Sequence, residues 1–96
     1  MLFSLYCIDK PDSLALRMER RPDHVAFLEA RADQIVYGGP LLSDAAEPSP
    51  LGSLLIIDVT DRAAAEAFST ADPYSKAGLF ETVTIRATRQ VFPKVK

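Results

Sequence analysis

Ser53-Leu54-Leu55-Ile56-Ile57-Asp58-Val59 is the stretch whose reading decides the fold. It is a short aliphatic run rich in β-branched residues, which is the mark of a strand. Leu54 and Ile56 point to one side and Leu55, Ile57 and Val59 to the other, so both faces need cover. Leu2-Phe3-Ser4-Leu5-Tyr6-Cys7-Ile8 shows the same two-faced pattern, with Phe3, Leu5 and Cys7 opposed to Leu2, Tyr6 and Ile8. Two strands of this kind belong in the middle of a sheet.

The rest of the chain supplies their neighbours. Asp9 to Asp12, with Pro11, closes the first strand, and Ser13 is placed to cap a short helix running through Leu16 and Met18. Proline breaks a helix interior but suits a first turn, so Pro22 predicts a break near Arg20-Arg21 and a fresh helix starting at Pro22. In that helix Val25, Leu28 and Ala32 share one face. Gln34 to Tyr37 reads as a short second strand, stopped by a tight turn at Gly38-Gly39-Pro40. Residues 41–52 (LLSDAAEPSPLG) read as a loop leading into the central strand. Beyond it, Thr60 or Asp61 caps a helix whose apolar stripe is Ala63, Ala64, Ala67 and Phe68. Asp72-Pro73 starts a further short helical turn that stops at Gly78. The final strand runs from Phe80 to Val91, with Val83, Ile85 and Ala87 alternating against Thr82, Thr84 and Arg86.

The resulting order is β-α-β-β-α-β. With right-handed crossovers it predicts an α+β, ferredoxin-like domain, an antiparallel sheet with both helices on one face. The other face of the two central strands is then uncovered and apolar, and a second copy of the same sheet is the expected cover, giving a homodimer.

Composition narrows the function classes. A chain of 96 residues with 48% hydrophobic and 25% charged residues has the makeup of a single globular domain, spanning 1–96. A net charge of −2 and pI near 5.3 speak against a nucleic-acid binder. Arg17, Arg20, Arg21 and Arg31 gather locally; such a run is either a solvated helix face or an attraction for an anionic ligand. Cys7 is the single cysteine, so no intrachain disulfide or CxxC site is expected, and its apolar setting reads as burial. The opening residues lack a basic stretch of the secretory kind, and no apolar run approaches the ~20 residues of a membrane span, so a cytoplasmic protein without membrane contact is expected.

Four places could carry chemistry. His24 is the one histidine and hence the acid-base candidate near neutral pH. If Pro22 opens a helix, His24 lies in its first turn, where the helix dipole favours a neutral ring. A lone histidine beside Phe27 and Leu28, at the edge of the buried stripe, is more often structural than catalytic. Asp72 is a helix cap by pattern, though a capping carboxylate can also face a cleft. Tyr74 offers a phenol to a ligand or merely covers the helix, and Ser53 lines a pocket or simply enters the strand. No dinucleotide fingerprint, phosphate loop, nucleophile elbow or metal-ligand spacing is present, so no cofactor or metal is expected.

Taken in order, these pieces resemble the YciI-like (YCII-related) family over essentially the whole chain. They are Leu2 to Asp9 with Lys10-Pro11-Asp12-Ser13-Leu14, then Arg17 and Arg21-Pro22-Asp23-His24, Gly39-Pro40-Leu41, Gly52-Ser53, Ala71-Asp72-Pro73-Tyr74 and Ala77-Gly78-Leu79-Phe80. The chain departs from familiar relatives in a slightly shorter link before the second strand, with Asp33-Gln34 in place of a glycine-containing turn. The resemblance implies a dimeric α+β barrel and a cleft in which His24 and Asp72 form an acid-base pair. Relatives of this fold include lyases and isomerases of small, often aromatic-derived acids, and some members look like dehydrochlorinases. The expected activity is therefore a small acid-base enzyme. His24 would be its base and Asp72 would hold the ring; Arg17 or Arg21 would attract an anionic substrate, with Tyr74 and Ser53 lining the pocket. A non-catalytic ligand-binding protein and a plain structural dimer are the competing expectations.

Overall fold

The computed structural model describes residues 1–94. Its elements are β1 (Leu2–Asp9), α1 (Leu14–Glu29), a 3-10 turn (Ala32–Gln34), β2 (Ile35–Leu42), β3 (Pro50–Asp58), α2 (Arg62–Ala71), α3 (Pro73–Lys76) and β4 (Phe80–Thr88). The four strands form one antiparallel sheet in the order β2-β3-β1-β4, the ferredoxin-like arrangement. The two strands with apolar residues on both faces are indeed central.

Leu5 stands opposite Leu55 and Phe3 opposite Ile57, and all four are buried. These side chains, with Cys7, form the sheet's half of the core; Phe27 of α1 and Ala65 and Phe68 of α2 form the other half. Phe27 and Phe68 meet edge to face, with ring centroids 5.1 Å apart, and tie the two helices together. On the opposite face Leu54 and Ile56 are only half-buried, and Tyr6 and Tyr37 are about half exposed, at 47% and 51%.

At Gly52, next to Ser53, β3 lies tight against the backbone of β1. A Cβ there would overlap the backbone carbonyl oxygen of Cys7 and crowd Leu41. Because the obstacle is backbone within the central strand pair, Gly52→Ala is expected to cost about 1–3 kcal/mol or more. Urea unfolding measures it, and a loss under about 0.5 kcal/mol would mean the strands part without strain.

Four local expectations need correction, the first being the α2 stripe, where Ala65 and Phe68 are buried and Ala63 and Ala67 are exposed. α1 does not break at Pro22: one helix runs from Leu14 to Glu29 with Pro22 inside it. The proline lies on the exposed side, while Arg17, His24 and Phe27 keep one buried face in register across it. Likewise Gly38-Gly39-Pro40 is no turn. β2 continues through it to Leu42, and of the described glycines only Gly78 has a positive φ, at 72°. As an edge strand, β2 tolerates a proline whose missing N–H faces outward. The loop correspondingly shrinks to residues 43–49, closed by Ser43 N–H to Ser49 O at 3.0 Å and Ser49 N–H to Ser43 Oγ at 3.1 Å. Finally, β4 ends at Thr88 rather than Val91.

The caps agree better. Asp61 caps α2, accepting from Ala64 N–H at 2.8 Å. Ser13 occupies the cap position of α1, but its hydroxyl donates to Pro11 O instead. Asp72 caps α3 with Pro73 behind it, and Gly78 follows that helix.

Candidate active site

His24 and Asp72 are 48 positions apart in the chain, yet His24 Nδ1 lies 2.8 Å from Asp72 Oδ1. Both are buried, at 8% and 3% exposure. The continuity of α1 moves His24 from the first turn, where the sequence placed it, to well inside the helix, so the dipole argument lapses. Orientation comes from Asp72 instead. A carboxylate can only accept, so Nδ1 carries the hydrogen and the neutral ring keeps its lone pair at Nε2. No hydrogen bond among the described residues uses Nε2.

The same Asp72 oxygen also accepts from Tyr74 N–H at 2.9 Å, as the cap of α3. One oxygen of Asp72 therefore caps α3 and holds His24, while Asp72 itself stays out of the cleft lining. The short α3 fixes the carboxylate, and the carboxylate fixes the imidazole.

Tyr74 stacks on His24, with centroids 4.0 Å apart and planes 15° from parallel. The Arg17 guanidinium carbon lies 4.6 Å from the same ring centroid. Arg17 and His24 are seven positions, or two turns, apart on one helix face, a gap of about 10 Å that one aromatic ring can fill. Burial raises the Tyr74 phenol above its ordinary pKa, although the Arg17 and Arg21 cations oppose the shift, so it stays a neutral donor at physiological pH.

Arg17 is itself held from behind. Its Nε donates to Asp9 Oδ2 at 2.7 Å and one Nη to Asp9 Oδ1 at 2.9 Å, a two-point pair with both side chains buried. The same Nη donates to Ser53 Oγ at 2.9 Å. Burial works against the guanidinium charge, but Asp9 more than offsets this and the Arg17 pKa is raised. Cys7 lies buried beneath this group; desolvation first, then Asp72, pushes its thiol up to about 12, which leaves it protonated and inert at neutral pH.

A cleft of about 300 Å³ opens in front of these groups, and Arg17, Arg21, His24, Ser53 and Tyr74 all line it. Five of the six residues singled out from sequence thus share one concavity, and Asp72 stands directly behind His24. The rest of the lining is Met18, Val25, Leu28, Gly38, Gly39, Pro40 and Pro50, with no carboxylate among them. Arg21 is exposed and makes no ion pair among the described residues, whereas the charge of Arg17 is answered by Asp9. A larger groove of about 660 Å³ lies toward the other end of β3, near Arg31 and Asp58, but has no histidine in its lining. Among the described residues no group of histidine, cysteine and carboxylate side chains could hold a metal ion.

Asp9 was missed in the sequence, where it reads only as the polar end of a strand. The signal for it is thin: an acid at a strand end, eight positions before an arginine on the next helix.

The chain is similar to known proteins over nearly its whole length. The profile of the YCII-related domain matches residues 1–89. Protein YciI of Escherichia coli and Protein YciI of Shigella flexneri are each 36% identical to the chain, over 96% of it and the whole of their own length. Among solved structures, the 5-chloro-2-hydroxyhydroquinone dehydrochlorinase TftG of Burkholderia phenoliruptrix, in complex with 2,5-dihydroxybenzoquinone, superposes with a TM-score of 0.89 at 33% identity. That match covers 93% of this chain and 94% of the dehydrochlorinase.

Proposed function

The chain belongs to the YCII-related domain family, and we propose that it is a small acid-base enzyme in which His24, held by Asp72, moves a proton on a small molecule in the cleft. The observation that carries this reading is the 2.8 Å contact between His24 Nδ1 and a buried, doubly bonded Asp72 oxygen, which leaves Nε2 as the working nitrogen. The likeness to a dehydrochlorinase supports a substrate class: a small ring bearing acidic hydroxyls and a leaving group. Arg21 at the mouth favours such a molecule as an anion, and Val25, Leu28, Pro40 and Pro50 supply apolar walls for its ring.

On 5-chloro-2-hydroxyhydroquinone the chemistry balances without an oxidant. Nε2 takes one hydroxyl proton while the carbon bearing chlorine gains one. Chloride then leaves with its bonding pair as a second hydroxyl proton is lost. HCl is released and a hydroxyquinone remains. Asp72 stabilises the ring each time it carries the extra proton.

The test is chloride release from that compound with the protein present. Asp72→Asn keeps an oxygen for the Tyr74 N–H, so α3 stays capped, but it removes the charge behind His24; about a 10²-fold or greater loss of rate is expected. A parent rate equal to that in buffer, or an unaffected Asp72→Asn rate, would sink the acid-base reading. Saturable binding without turnover would point to a ligand-binding protein instead.

We further propose that a second copy covers the open sheet face. Its support is the apolar surface formed by Leu54, Ile56, Tyr6 and Tyr37. Sedimentation equilibrium is expected to give twice the chain mass, and a monomer at high concentration would rule the pairing out.

A further inference from the structure

Ser53 is 2% exposed and lines the cleft. Its oxygen accepts from Arg17, but no acceptor for its hydroxyl hydrogen is found among the described residues. A hydroxyl offers one donor besides its acceptor sites. With Arg17 occupying one acceptor position, the remaining hydrogen is free to turn toward the cleft that Ser53 lines. Arg17 cannot swing away, because both Asp9 oxygens hold its fork.

From this we infer that Asp9, Arg17 and Ser53 form a relay that presents the Ser53 hydroxyl as the donor for an oxygen anion of a small flat ring. Ser53 touches the ligand, and Arg17 and Asp9 are positioning residues. The guanidinium polarises the hydroxyl, and Asp9 fixes the guanidinium while cancelling its net charge, so the wall donates without adding a full positive charge beside His24. The cleft then has two unlike sides: a proton acceptor at His24 and a donor at Ser53 for the oxygen on which charge grows as the proton leaves. The relay deepens the acid-base reading and rests on it.

The probe is 4-nitrophenolate, a coloured ring oxyanion whose absorption moves to shorter wavelength when its oxygen accepts a hydrogen bond. Titrating it with the parent protein is expected to give a saturable blue shift. Ser53→Ala should weaken binding about 10- to 100-fold and remove the shift, as loss of a hydrogen bond to a charged oxygen predicts. Arg17→Lys, which keeps the charge but not the fork, should diminish the shift, covering the case in which Ser53→Ala does not fold. His24→Gln should retain it. An unchanged shift in Ser53→Ala, or no binding by the parent, overturns the relay. A relay that survives while turnover is absent overturns the acid-base reading alone.

Discussion

Replacing His24 with alanine is expected to lower turnover by about 10²- to 10⁴-fold, the range that a positioned general base supplies. The fold should survive. Asp72 keeps its bond from Tyr74 N–H, so α3 retains its cap, and the lost stack leaves a hole that opens on the cleft rather than a sealed void. That hole makes the prediction sharper. Free imidazole can enter it and donate its N–H to Asp72, so part of the lost rate should return in proportion to added imidazole. Steady-state rates with and without imidazole, beside a circular dichroism spectrum, make the check. A variant within about threefold of the parent would show that His24 is a structural residue which happens to face a cleft.

The second large effect concerns stability. Asp9→Leu strands the Arg17 guanidinium in a buried place without its carboxylate, and Arg17→Met does the same to Asp9. Each single change is expected to cost about 3–5 kcal/mol, because one charge is left uncompensated in the interior. Changing both together should cost much less than the sum, since neither charge of this pair is then left buried without its partner. Urea midpoints at constant slope give all three values. Single losses under about 1 kcal/mol would place the pair with exposed ion pairs, whose worth is small.

The sheet was readable because β1 and β3 each carry two apolar faces, and only a central position explains that pattern. The candidate site was readable in pieces. His24 stood out as the lone histidine and Asp72 as a cap, but each had an adequate local explanation, and no local pattern brings residues 48 positions apart to 2.8 Å. Their pairing came from family likeness. Pro22 misled for a physical reason: a local rule ends the helix there, whereas Arg17, His24 and Phe27 must share one buried face, and that packing prevails. Gly38-Gly39-Pro40 looked like a turn because composition cannot tell a tight turn from an edge strand beside large neighbours. A Cβ on Gly38 would meet Leu55 at 3.0 Å, and one on Gly39 would meet the Tyr37 hydroxyl at 2.9 Å. Asp9 stayed hidden because its role exists only once α1 folds back over β1.

The parts of the cleft come from different places. His24 and Ser53 stand on α1 and β3, the one held by Asp72 and the other bonded to the Arg17 that Asp9 holds, while Gly38, Gly39 and Pro40 of its lining belong to the outermost strand. Descendants of such a chain could inherit the chemistry intact and still diverge in diet, because changes confined to that border would alter which molecules enter without disturbing what happens to them.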